Sequence, residues 1–376
     1  MQGLNGPITI RRARFWCPVG RRSKYPLDEL LDLPRGEVTG SLAKRALRLA
    51  THMSFSTLQE ELYYQHEVRL TDTVWDRLMQ SVGQVAEGDQ QAAVEELKLL
   101  PEGVGREEHS SAKAPIARPK RLYISCDGIL YPTRYRQDRS DGGEGRRITY
   151  QEMKCGSVFW REGEGAWQKR TVASREDVDR FGLRLWDLAV RCGMLQADEV
   201  IFISDGGTWP DSVAKNHFHD AIRILDWYHA SEHIWEAAHA LYADDETAAK
   251  RWAKSCETAM WESSGIGLLR FLERSRCVRA GEAATLPMAL KALDSLIEYV
   301  RPRLAIMDYV EYRAKGYVIG SGMMESTCKQ VVGQRLKGSG RQWSEAGAVA
   351  MTALTVHRLN YTWEAFWASR PLQRAA

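Results

Sequence analysis

Apolar positions along this chain change period twice, and the changes divide it. Between residues 41 and 87 the spacing is helical. Leu42, Ala46, Leu49 and Ala50 form one stripe, Leu58, Leu62 and Tyr63 a second, and Val74, Trp75, Leu78 and Val82 a third. Ser56 is placed to cap the second helix and Thr71 the third. Two short helices joined by a tight turn after a first read as a helix-turn-helix DNA-binding domain over 41–87, or as a plain small helical bundle. In the first reading Trp75 and Arg77 of the last helix face DNA. Residues 88–119, broken by Gly103, Gly105, Pro115 and Pro119, read as a linker.

From residue 120 the period shortens to that of strands. Apolar runs at 121–126, 148–160 and 166–173 predict three of them, the last two joined by the turn Glu162-Gly-Glu-Gly165. A charged stretch over 134–147 reads as a loop between the first two. An amphipathic helix follows over 176–194, with Val178, Phe181, Leu185, Leu188 and Ala189 on its stripe. Then come a strand at 199–204, a short helix after Pro210, a strand at 221–225 and a helix from His229. Three antiparallel strands followed by alternating units give an α/β domain, 120–376, with the layout of the RNase H fold. Its first and fourth strands lie side by side. The stretch of about 236–313 is helical throughout and reads as an all-helical insertion before the closing helix.

That layout gives meaning to three acids. Asp127 ends the first strand's apolar run, Asp205 ends the fourth's, and Glu325 follows Gly320-Ser-Gly-Met-Met324 at the start of a helix. Singly, Asp-Gly after a strand is a turn, and Glu in a first helical turn stabilises its helix. Together, three carboxylates can hold two divalent cations suited to in-line displacement at phosphorus. Asp226 and His229 would flank them. His229 and His233, one turn apart, could instead bind zinc, although Ala230 stands where a HExxH motif has Glu. Lys329, Gln330, Arg335, Lys337 and Arg341, interrupted by Gly338-Ser-Gly340, make a basic track able to follow phosphates.

Charge agrees with a polyanionic partner. The net charge is only +3, but the first 50 residues hold ten Lys/Arg against four Asp/Glu. No apolar stretch reaches the roughly 18 residues of a membrane span. The N-terminus lacks a secretory pattern. Seven cysteines without a CxxC pair suit a reducing compartment.

Several segments together resemble one family: Ile124-Ser-Cys-Asp-Gly128, Thr149-Tyr-Gln-Glu-Met-Lys154, Ile203-Ser-Asp-Gly-Gly207, Leu225-Asp-Trp-Tyr-His229, Gly320-Ser-Gly-Met-Met-Glu325 and Lys337-Gly-Ser-Gly-Arg-Gln-Trp343. The chain resembles DDE-type insertion-sequence transposases of the ISKra family, in the Mutator-like class, from about residue 41 to 367. The resemblance implies an RNase H-like (retroviral integrase-like) catalytic domain with Asp127, Asp205 and Glu325 as its catalytic, metal-binding triad. Two Mg²⁺ or Mn²⁺ ions are the implied cofactors, and Asp226 with His229 forms the Asp-x-x-His signature. The implied partners are double-stranded DNA, both element ends and target, and further copies of the chain as a homo-oligomer on paired ends. The implied location is cytoplasmic, at the nucleoid. Family members typically begin with paired cysteines; here Cys17 alone remains, so residues 1–40 read as a basic segment with a degenerate zinc-ribbon remnant. Two alternatives stand beside a transposase: an RNase H-fold nuclease of repair or recombination, and a decayed transposase that only binds DNA.

Overall fold

The computed structural model describes residues 1–11, 13–27, 38–101, 104–111, 115–138, 144–279, 287–338 and 340–369. Two small hairpins come first: β1 (Gln2–Gly3) with β2 (Gly6–Pro7), and β3 (Phe15–Cys17) with β4 (Arg22–Lys24). Three helices follow, α1 (Gly40–Ala50), α2 (Phe55–His66) and α3 (Asp72–Leu99). Ser54, not Ser56, caps α2, its hydroxyl accepting the Thr57 N–H at 3.0 Å. The linker expected from residue 88 begins inside α3. Val94 and Leu97 continue the buried stripe of Trp75, Met79, Val82 and Ala86, so tertiary packing overrides the helix-weakening Gly88. Helix α4 (Val104–Ser111) interrupts the rest of the connector.

The central sheet contains β5 (Arg121–Asp138), β6 (Glu144–Trp160), β7 (Gln168–Ser174), β8 (Glu199–Ser204) and β9 (Ile222–Leu225). Its order is β7-β6-β5-β8-β9, with β6 antiparallel to both neighbours and β5, β8 and β9 parallel. This is a mixed α/β fold whose first and fourth strands lie side by side, as expected from the sequence, an arrangement consistent with an RNase H-like sheet. The charged stretch expected as a loop is largely strand, because β5 continues to Asp138 and β6 begins at Glu144. Residues 139–143 lie outside the described residues.

One sheet face carries α5 (Val178–Arg191) and α6 (Thr208–His217), with Leu122, Ile124, Cys126, Phe181, Leu185 and Phe202 in their shared core. The other face carries two helical groups. Over β8 and β9 lie α7 (Trp227–Leu241), α8 (Glu246–Val278), α9 (Pro287–Val300) and α10 (Tyr309–Ala314), the expected helical insertion. Helix α8 kinks at Ser263 and Ser264, where Ser264 has φ 58° and its hydroxyl donates to Asp308 at 2.8 Å. Over β6 lie α11 (Gly322–Cys328), a π-helical turn (Lys329–Gly333), α12 (Gln334–Leu336), α13 (Glu345–Leu359) and α14 (Trp363–Ala368).

The first three helices share this last core rather than standing apart. Helices α3 and α13 cross where a Cβ on Gly83 would lie 2.5 Å from both Ala350 Cβ and the Ala350 carbonyl oxygen, so only glycine permits the approach. A buried ion cluster fastens α3 to α5. Arg184 meets Glu87 through two bonds of 2.9 and 3.2 Å and Glu176 at 2.6 Å, and donates to Gln90 at 2.7 Å.

On α13, His357 packs its ring on Phe366 at 4.5 Å, with Nδ1 2.8 Å from the Thr362 hydroxyl. Burial pulls its pKa down from 6.5 to about 4, with Asp89 opposing weakly. The unfolded chain therefore binds this proton more readily. The stabilisation is full above about 6.5 and fades as pH falls towards 4. Urea titrations at pH 7.5 and 5 should show His357→Gln losing about 2 kcal/mol less than wild type on acidification. Equal losses would contradict a neutral, buried imidazole.

Candidate active site

Strand alternation decides which side chains can meet. On β5, Leu122, Ile124 and Cys126 enter the α5 core, so Tyr123, Ser125 and Asp127 point to the opposite face. On β8, Ile201 and Ile203 share that face, and Asp205 is the next position on it. On β9, Ile222 and Ile224 do the same, with Asp226 beyond. Because the three strands are parallel, the point where β5 leaves β8 and the carboxyl ends of β8 and β9 lie together.

Asp127 accepts the Gly128 N–H at 2.6 Å, and Asp205 accepts the Gly207 N–H at 2.8 Å. Burial pushes the Asp127 carboxyl up from 3.8 to about 6. The Gly128 N–H opposes this, the Asp205 charge adds to it, and His229 opposes it. Asp205 is braced from the insertion: Tyr299 donates to its carbonyl at 3.2 Å, and Arg303 donates to the Gly206 carbonyl at 2.8 Å. Gly206 has φ +77°, which favours glycine at this turn. Tyr299 and Arg303 sit one turn apart, with the guanidinium 4.2 Å from the ring centroid. Sequence reading missed both, since nothing local marks a Tyr and an Arg in a helical insertion as supports for a strand end 94 residues earlier.

Asp226 accepts a hydrogen bond on each carboxylate oxygen. It is buried, its Oδ1 accepts the Tyr228 N–H at 2.9 Å as the cap of α7, and its Oδ2 accepts the Ser321 hydroxyl. The Trp227 N–H donates to the Ile319 carbonyl at 2.9 Å. These bonds clasp α7 to the segment leading into α11. His229 faces Glu232 at 3.4 Å and His233 faces Glu236 at 3.2 Å, their rings 4.8 Å apart.

Glu325 is exposed on α11, whose buried side chains Met324, Thr327 and Cys328 settle the helix on the β5–β6 surface. The Cys328 thiol faces Cys155, the register partner of Asp127. The structure thus brings Asp127, Asp205 and His229 into one electrostatic neighbourhood and puts Glu325 on a helix over the same face. It does not bring Glu325 into a ligand cluster. Among the described residues no group of three or more His, Cys, Asp or Glu is arranged to hold a metal, which applies equally to Cys17 and to the His229–His233 pair.

The six residues assigned to DNA separate by burial. Lys329, Lys337 and Arg77 are exposed and Arg341 is half-buried. Trp75 is fully buried, with its indole N–H donating to Gln59 at 3.1 Å, so it is a core residue of the helical unit rather than a base contact. Arg335 is also buried. It donates to the Ala50 carbonyl at 2.6 Å and lies between Phe55 and Trp343, and burial pulls its pKa down to about 10. It ties α12 to α1 and leaves the basic track without its middle member. Gln330 accepts Lys169 of β7 at 3.3 Å.

No protein-family model and no curated protein sequence matches the chain. Among solved structures, the chain is similar to the Drosophila P element transposase strand transfer complex. The identity is 11%, over 89% of this chain and 81% of that one, with a TM-score of 0.30. At that score the likeness carries no weight of its own. Among the described residues, no helix is long and apolar enough to cross a membrane.

Proposed function

We propose that this chain is a DNA transposase that cuts the ends of an insertion sequence and joins them to target DNA. The observation that carries the proposal is the convergence of Asp127, just past the part of β5 that pairs with β8, and Asp205, at the carboxyl end of β8, on one sheet face. Donor chemistry fits Mg²⁺ or Mn²⁺. Both groups are hard carboxylate oxygens. Burial raises the neighbouring Cys126 thiol well above its ordinary range, and a hydrogen bond with Cys328 together with burial does the same for Cys155, so these offer no thiolate. Asp127 and Asp205, with Glu325 brought in from α11, would hold two such ions. When bound, the ions supply charge neutralisation at phosphorus and an activated oxygen nucleophile.

The chain's own groups do the rest by position. Asp127 must be ionised to bind a cation, so the cation competes there with a proton that burial holds up to about pH 6. The Asp226–Ser321 clasp sets where α11 starts, and so where Glu325 can reach. Hydrolysis of one phosphodiester frees a 3′-hydroxyl, which then attacks a second, so no covalent protein–DNA intermediate is required. The substrate is duplex DNA in the cytoplasm, and assembly on paired ends calls for more than one copy of the chain.

The test is nicking of supercoiled plasmid in Mn²⁺. Wild type should nick and EDTA should stop it, while Asp205→Asn should lose at least about 100-fold. Undiminished nicking by that variant would refute the assignment. A second reading, a decayed transposase that only binds DNA, is favoured by one observation: Glu325 stands outside any ligand cluster. Duplex binding without nicking by wild type would select it.

A further inference from the structure

Helix α1 carries no acid. Its sequence, Gly40-Ser-Leu-Ala-Lys-Arg-Ala-Leu-Arg-Leu-Ala50, buries Leu42, Ala43, Ala46, Leu47 and Ala50 in the core that it shares with α13. Arg45 and Arg48 are left exposed, and His52, exposed in the turn beyond Thr51, continues their stripe at spacings of three and four. Lys44 beside them is neutralised by Glu364 of α14. Neither Arg45 nor Arg48 has an ion-pair partner among the described residues.

A third guanidinium joins this stripe from another helix. Arg358, in the last turn of α13, is half-buried, and its Nε has no hydrogen-bond partner among the described residues. Burial first, and then the Arg48 charge, hold the Arg358 guanidinium below its ordinary range. Burial, Arg358 and Arg48, in that order, likewise lower the His52 imidazole. Among the described residues no carboxylate acts on either group. A cation in the last turn of a helix gains from the carbonyls there, which would account for Arg48 or Arg358 alone. It does not account for two guanidiniums and an imidazole drawn together, one partly desolvated, with no anion among them. A charge taken out of water ordinarily has a partner.

We infer that Arg45, Arg48, His52 and Arg358 form a binding surface for the phosphate backbone of duplex DNA. This rests on the DNA-cutting reading above and names the face by which the N-terminal helices hold the substrate. The stripe from Arg45 to His52 is about 10 Å long. One DNA strand presents a phosphate about every 3.4 Å of axis, so the stripe follows a polyanion, whereas a single small anion would engage one end of it. Charge also selects α1 over α3, where sequence reading put the DNA contact. Helix α3 holds six acids against two bases, and its Trp75 is buried. Backbone contacts of this kind fix the position of the duplex without reading its bases. Arg335 donates to the Ala50 carbonyl at the end of α1, so the surface is tied to α12, which follows the helix carrying Glu325.

The experiment measures binding of a labelled duplex of about 30 base pairs by fluorescence anisotropy, in EDTA, over a series of salt concentrations. The full chain is compared with Arg45→Gln/Arg48→Gln and with Arg48→Glu. The double variant should bind at least about 10-fold more weakly at low salt and flatten the plot of log affinity against log salt by about two. Arg48→Glu separates binding from stability, because it gives Arg358 the carboxylate it lacks. Its affinity should fall by a similar factor while its thermal midpoint without DNA stands at or above that of wild type. A midpoint well below wild type would show Arg48 held by favourable partners, and the inference falls. If wild type binds duplex and the double variant matches it in affinity and slope, the surface is wrong and the DNA-cutting reading survives. If inorganic phosphate raises the midpoint of wild type alone while the slopes agree, the cluster takes a lone anion and the surface is again wrong. It is wrong too if sedimentation shows Arg48→Glu dissociating a dimer while the slope holds, since the stripe is then a contact between copies. If wild type binds no duplex, both readings fall.

Discussion

Asp127→Asn should abolish metal-dependent DNA cleavage, by at least about 1,000-fold, while duplex affinity stays within a few-fold of wild type. The same substitution should make the metal-free protein more stable at pH 7.5. A carboxyl raised from 3.8 to about 6 holds its proton more tightly folded than unfolded. Its contribution is full below about 3.8 and is lost as pH rises through about 6, so the ionised group destabilises the fold at neutral pH. Asparagine removes that cost, about 3 kcal/mol. Thermal melts in EDTA and in Mn²⁺ should therefore cross over: the variant melts higher without metal, and only wild type gains on adding it. A variant that melts lower in EDTA would show that Asp127 is held by favourable partners and is no strained cation ligand.

Arg184→Ala should be the most destabilising single change, by about 3–5 kcal/mol in urea unfolding. It leaves Glu87 and Glu176 facing each other in the interior between α3 and α5, where each carboxylate is only 9% exposed. Replacing a buried pair with apolar side chains of similar volume is commonly neutral. Arg184→Met with Glu87→Leu should accordingly recover most of the loss, although Glu176 keeps Arg180 at 3.1 Å as its remaining partner. A double variant no better than Arg184→Ala would mean that the cluster contributes through its specific bonds. The consequence reaches function, because this cluster and the Gly83–Ala350 crossing hold the N-terminal helices to the sheet.

The sheet was readable because its strands are buried on both faces or end in a polar punctuation. The strand at 199–204 is bounded by Asp198 and Asp205, and its observed limits are those expected. Asp127 and Asp205 were readable for the same reason, as acids placed one position beyond an apolar run. The outer part of the β5–β6 hairpin was not. Arginines stand among its apolar positions, so its alternation is hidden and it resembles a loop. The third helix was cut short because Gly88 looks like a terminator, whereas Val94 and Leu97 find apolar partners far off in the sequence. Trp75 and Arg335 illustrate a further limit. An aromatic on a helix beside a basic residue reads as a DNA contact, and an arginine in a glycine-punctuated track reads as a phosphate ligand. Only tertiary packing reveals that one donates to Gln59 and the other to Ala50. The reach of Glu325 was not readable either, since it depends on the clasp between Asp226 and Ser321, 95 residues apart.

The most direct measurement of the central claim is strand joining. Purified protein, Mn²⁺, supercoiled plasmid and labelled duplexes taken from the DNA on either side of the gene are incubated together. Products are then scored for label covalently joined to plasmid. The account predicts joined product with wild type, dependent on a free 3′-hydroxyl, and none with Asp127→Asn or Asp205→Asn. Joined product that persists in both variants would contradict it.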